Sequence, residues 1–169
     1  RTRLNELLSY SERVQELESS RANALKVLHS RQLEVGRQRR KTAPGLAAAV
    51  EKRLRLLALP HATIQVAVGD EGSDPSGEAV SFMLAANPGS APMPITKVAS
   101  GGELARVMLA LRLVLTTDPA TMVFDEVDAG IGGAAAVAVA QALRELGTDH
   151  QVFAVTHLAQ VAASAHSHI

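Results

Sequence analysis

Between Gly101 and Ala165 the chain alternates helix-forming and strand-forming runs joined by short links, and that alternation leaves few folds open. Helical runs cover about residues 102–117, 133–146 and 158–165, with strands at about 120–125 and 151–155 between them. Helices interposed between strands predict an α/β fold whose parallel sheet is flanked by helices, because a parallel crossover is long enough to hold a helix. The run TMVFDE, residues 121–126, is apolar up to its two acids. That pattern predicts a central strand buried on both faces.

Upstream the period changes. ATIQVAV places Ile64, Val66 and Val68 on one face, and AVSFMLA does the same for Val80, Phe82 and Leu84. With GDEGSDPSG between them, these runs predict a β-hairpin. From Leu4 to Val35 there is neither proline nor glycine. One seven-residue lane runs Leu7, Val14, Arg21, Leu28, Val35 and a second runs Leu4, Ser11, Glu18, Leu25, Gln32, the pattern of a helix with one narrow apolar seam. GRQRRKTAPG, residues 36–45, is expected to end that arm. Thr42 can then cap a new helix with Pro44 in its first turn, running to about Leu59 and burying Leu46, Val50, Leu54 and Leu57. The expected division is a coiled-coil arm over 1–36 and a globular part over 37–169.

Composition narrows the class. Apolar residues make up 47% of the 169 residues and aromatics 2%, so Leu, Val and Ala must fill the core. Without cysteine, disulfides and zinc–thiolate sites are excluded, which fits a reducing cytoplasm. No apolar run approaches the roughly 20 residues that span a bilayer. No signal peptide opens the chain, yet it begins with Arg1, so it reads as a piece of a longer protein. Charge is asymmetric: residues 1–59 carry 13 Lys/Arg against 6 Asp/Glu, and residues 60–169 carry 4 against 11. A basic arm on an acidic body could touch a polyanion, or could simply be a solvated helix.

Four features could carry chemistry. Asp125 and Glu126 end the apolar strand, and open parallel sheets bind ligands outside the carboxyl ends of their strands. Adjacent carboxylates there suit a cation and a reacting water, although acids also serve as helix caps. Ser100, Gly101 and Gly102 precede an apolar helix whose first turn holds Glu103. Bare amides at such a start attract anions, and a plain serine cap is the alternative. Asp128 stands in the glycine-rich loop VDAGIGG, and His157 follows the next strand, where it should lie near Asp125 and Glu126. Each has an ordinary structural explanation, and their order and spacing carry the argument.

That order resembles the C-terminal lobe of an ABC-type ATPase: signature loop, Walker B strand, D-loop and H-loop. The wording of KVASGGELARVMLALRLVL, VFDEVDAGIGG and VTHLAQVAA, with SFMLAANPG before them, resembles the bacterial RecN family of SMC-like double-strand-break repair proteins. The resemblance covers about 40–169, and Ala105 and Ala159 depart from the Ser and Pro common there. It implies an SMC-type head lobe that uses ATP and Mg²⁺. Asp125 would hold Mg²⁺, Glu126 would polarise the attacking water, and His157 would meet the γ-phosphate. Ser100, Gly101 and Gly102, with Glu103, would reach a nucleotide held by the other head of a homodimer, and Asp128 would lie at the same seam.

No GxxxxGK[ST] occurs in the chain, so the resemblance implies that Walker A sits on a separate N-terminal lobe. DNA is the implied partner, with no membrane, and the implied place is the bacterial cytoplasm at the nucleoid. Arg37, Arg39, Arg40 and Lys41 form a basic knot that could contact phosphates or be a solvated helix end. Arg106 is expected to pair with a carboxylate. His166 and His168 could join His157 on a metal, but no acidic or thiol partner stands near them. Two other readings share some features: a transporter's nucleotide-binding domain, and a structural coiled-coil interaction module.

Overall fold

The structure, a computed structural model, describes residues 2–97, 101–115 and 120–168, with side chains from Tyr10 onward. The elements in order are α1 (Thr2–Leu56), β1 (Thr63–Val68), β2 (Val80–Ala85), β3 (Met93–Pro94), α2 (Gly101–Val114), β4 (Thr121–Phe124), α3 (Gly133–Leu146), β5 (Gln151–Ala154) and α4 (Ala159–Ala162). They fall into two compact units, Arg1–Lys41 with Val68–Val80, and Thr42–Ala67 with Ser81–Ile169.

The expected break at residues 36–45 does not occur, because α1 is one helix of 55 residues with Pro44 inside it. Gly36 serves close approach instead. A Cβ there would lie 2.0 Å from the Pro75 carbonyl oxygen, so the loop after β1 packs directly on the helix backbone. Arg40 fastens that loop through its Nε to the Gly69 carbonyl at 2.8 Å and through Nη2 to Asp74 O. Arg39 donates to the carbonyls of Ser76 and Gly77 at 3.1 and 3.3 Å. Asp74 closes the loop on itself by accepting the Ala79 amide at 2.8 Å and the Ser76 hydroxyl at 3.2 Å. The arm's seam residues Leu25, Leu28 and Val35 are exposed.

The second unit holds the core. Pro44 forgoes one helical hydrogen bond and lies exposed, while Ala43, Val50, Leu54 and Leu57 are buried around it in sequence. Burial of those turns outweighs the local break signal. The core continues through Ile64, Leu84, Val107, Leu109, Met122, Phe124, Val127 and Val139. Leu46 and Phe82 are only partly buried against it. β1, β2 and β3 form one sheet, with β2 antiparallel to β3. β4 and β5 form a separate parallel pair with Phe124 opposite Ala154.

β4 is not buried on both faces. Met122 and Phe124 face the core, whereas Val123 is 70% exposed, and Phe153 and Val155 beside it are exposed too. Met122 and Phe124 join residues of α2 and α3 in one buried cluster, whereas the opposite face is exposed among the described residues. α2 ends at Val114 and α4 spans only Ala159–Ala162, both shorter than the sequence implies.

Candidate functional site

The register of β4 on β5 builds the site. With Phe124 opposite Ala154 and the Val155 amide donating to Phe124 O at 2.9 Å, both chains leave the sheet side by side. Asp125 and Glu126 therefore emerge next to Thr156 and His157 at the carboxyl end of the strands. Asp125 and Glu126 are both exposed. Glu126 adopts a φ of 54°, the left-handed region that non-glycine residues enter only at a cost. A tight turn follows, closed by the Ala129 amide on Glu126 O at 3.0 Å.

The start of α2 packs on that turn, and its two glycines are required by space. A Cβ on Gly101 would lie 2.8 Å from Glu126 Oε2, and one on Gly102 would lie 2.9 Å from both Cβ and O of Ala129. Arg106, one turn on, is 5% exposed and donates through Nη1 to Ala129 O at 2.9 Å. The guanidinium thus meets a backbone carbonyl and also feels the Glu103 carboxylate. Burial pushes the guanidinium pKa down, and Glu103 pulls it back up. The buried Nε has no hydrogen-bond partner. Ser100 lies outside the described residues.

Asp128 turns inward. Its carboxylate is 1% exposed, accepts the Thr156 hydroxyl on Oδ2, and lies 3.7 Å from Nδ1 of His157, whose side chain is 71% exposed. Burial works to raise the Asp128 pKa, but the Thr156 hydroxyl, its own backbone amide, His157 and the Leu158 amide outweigh it and hold it low. Within this chain the carboxylate lies against the exit of β5. The signal for Thr156 in the sequence is its place directly before His157 in VTHL.

The basic knot is distributed differently. Arg39 and Arg40 spend donors on loop carbonyls, which leaves Arg37, 4.0 Å from Glu34, and the exposed Lys41. Among the described residues no group of three or more His, Cys, Asp or Glu is placed to hold a metal ion by itself. No helix among them is long and apolar enough to cross a membrane.

What the arrangement can do follows from its donors. The glycines let the first turn of α2 sit against Glu126 and Ala129, and the backbone amides of a helix start favour an anion. Two exposed carboxylates beside an exposed imidazole can hold a hydrated cation and take or give a proton. The set fits a phosphate ester with a divalent cation.

No family model matches the chain. It is 47% identical over 148 residues to the DNA repair protein RecN of Deinococcus radiodurans, which takes in 83% of this chain and 26% of that protein. RecN of Mycobacterium leprae is 39% identical over 193 residues, covering 100% of this chain and 33% of that protein. The chain thus spans between about a sixth and a third of the length of the curated relatives it matches. Among solved structures, an Smc head domain of Pyrococcus furiosus, with an extended coiled coil and bound to the C-terminal domain of ScpA, superposes with a TM-score of 0.67 at 19% identity, over 94% of this chain and 39% of that one. The Smc head of Pyrococcus yayanosii gives 0.67 at 20% identity, over 94% and 30%. These two likenesses establish the fold.

Proposed function

The chain belongs to the RecN family, and from that premise we propose that it is the C-terminal lobe of an ATP-hydrolysing, SMC-like head acting in DNA repair. The observation that carries the proposal is the meeting, at one end of the β4–β5 pair, of two exposed acids, a histidine and a glycine-led helix start. Mg²⁺-ATP, when bound, supplies the γ-phosphoryl group and neutralises its own phosphates. Asp125 would hold the cation through water, as Mg²⁺ prefers. Glu126 would orient the attacking water and accept its proton. His157 would donate to the terminal phosphate. These residues position and stabilise charge; they form no covalent bond.

The phosphate cradle must come from elsewhere in the protein, because the chain has no GxxxxGK[ST]. An N-terminal lobe bearing Walker A is the proposed partner, and a second head the proposed source of closure over the nucleotide. Ser100, Gly101, Gly102 and Glu103 would face the partner head's nucleotide. Arg37 and Lys41, the members of the basic knot not tied to loop carbonyls, would contact DNA phosphates.

Ser100→Arg in the full-length protein tests the proposal. A bulky cation at that helix start should block closure of two heads while each still binds ATP through its own cradle. Hydrolysis should therefore fall and lose its dependence on protein concentration, with single-site ATP affinity kept. Unchanged hydrolysis would reduce the SGGE stretch to a helix cap.

A further inference from the structure

Burying a carboxylate is costly unless its surroundings use the charge. Asp128 is 1% exposed, and its Oδ1 has no hydrogen-bond partner. Apart from its own backbone amide, the groups that act on the carboxylate, Thr156, His157 and Leu158, belong to the exit of β5. The Thr156 hydroxyl donates to Oδ2, and the same hydroxyl accepts the Leu158 amide at 3.1 Å. Thr156 is therefore pinned as donor and as acceptor, and the residues on both sides of His157 are fixed by one oxygen. The His157 ring stands between them with Nδ1 3.7 Å from Oδ2.

We infer that Asp128 and Thr156 are positioning residues that set the orientation and tautomer of His157 within the same chain. A carboxylate facing Nδ1 favours the proton there, which leaves Nε2 to work on the exposed side of the ring. The separation of 3.7 Å exceeds a hydrogen bond, and hydrogen bonds of this kind commonly tighten only in the working complex. The same division of labour, a buried acid holding an imidazole that does the chemistry, operates in hydrolase triads. The inference rests on His157 acting in ATP hydrolysis, and its test separates the two.

In the full-length protein, Asp128→Asn and Thr156→Ala should each lower kcat by about 10–100-fold with KM for ATP nearly unchanged, as losses of outer-shell orientation do. Thr156→Ser, which keeps the hydroxyl, should restore most of the rate. In a His157→Ala background Asp128→Asn should add nothing, since it acts only through the ring. Additive losses, or a wild-type kcat in Asp128→Asn, would overturn the inference. The ¹⁵N-histidine spectrum of the same proteins supplies a readout independent of turnover, with His157 assigned by its loss in His157→Ala. Neutral His157 should be the Nδ1–H tautomer in the wild type and shift toward Nε2–H in Asp128→Asn. If His157→Ala hydrolyses ATP normally while that tautomer shift is seen, positioning stands and the catalytic role of His157 falls. An unchanged tautomer overturns the positioning itself.

Discussion

Gly102 shows how closely single residues are constrained where α2 meets the β4 turn. Any side chain there would press on Ala129 from 2.9 Å, so Gly102→Val should displace the turn that carries Glu126. Loss of hydrolysis together with a lowered melting temperature is expected, and wild-type behaviour in both would show that the turn can yield. Asp128 gives a pH prediction. Its folded pKa lies below the ordinary 3.8, so its contribution to stability is full above that value and is lost as pH falls through the folded value. The stability difference between wild type and Asp128→Asn, from urea titrations, should stay level above about pH 5 and shrink below it. A difference growing toward acid would mean that burial dominates. Asp125, Glu126, Asp128 and His157 could be picked out from residue type and order, because each ends a strand or opens a loop. The inward turn of Asp128 could not, since it depends on Thr156 arriving from another strand.

At the scale of elements, α3 begins and ends where its alanine-rich run implies, and β1 and β2 fall on the alternating stretches. Local pattern suffices for such pieces. It failed at Gly36 and Pro44, where two break signals lie inside one helix, because burial at Ala43 and Val50 and the docked loop at Gly36 act from outside the local sequence. The end of α1 offers a direct check on backbone strain. Ala58 has a φ of 61°, and the Leu59 amide bonds back to Leu54 O at 3.0 Å, the geometry of a helix stop that glycine makes without strain. Ala58→Gly should stabilise the protein by about 1 kcal/mol, read from the denaturation midpoint. Destabilisation would mean that packing of the methyl group matters more than the dihedral.

For the whole molecule, the bare face of the β4–β5 pair is the feature that the apolar run at 121–124 misrepresented. A strand apolar on both faces is written for two covers, and among the described residues the Val123 face is exposed. Val123, 70% exposed here, is where that difference can be measured. Val123→Asp should change the stability of the isolated 169-residue chain by no more than about 0.5 kcal/mol, the usual scale of surface substitutions. In the full-length protein it should cost several times that if the proposed N-terminal lobe covers this face and buries the charge. Equal small effects in both would leave that face uncovered in the whole protein.

The central claim is that Glu126 activates water in an ATPase completed by the rest of the protein. Its most direct test is Glu126→Gln in the full-length protein, with ATP affinity and turnover measured on the same preparation. Gln keeps the shape of Glu but replaces one acceptor oxygen with an NH2 donor, carries no charge and cannot take a proton. Turnover should fall by at least about 100-fold while ATP affinity stays within about threefold and ATP-dependent dimers accumulate. Turnover within about threefold of wild type, with binding intact, would contradict the account, because a positioned general base contributes far more than that.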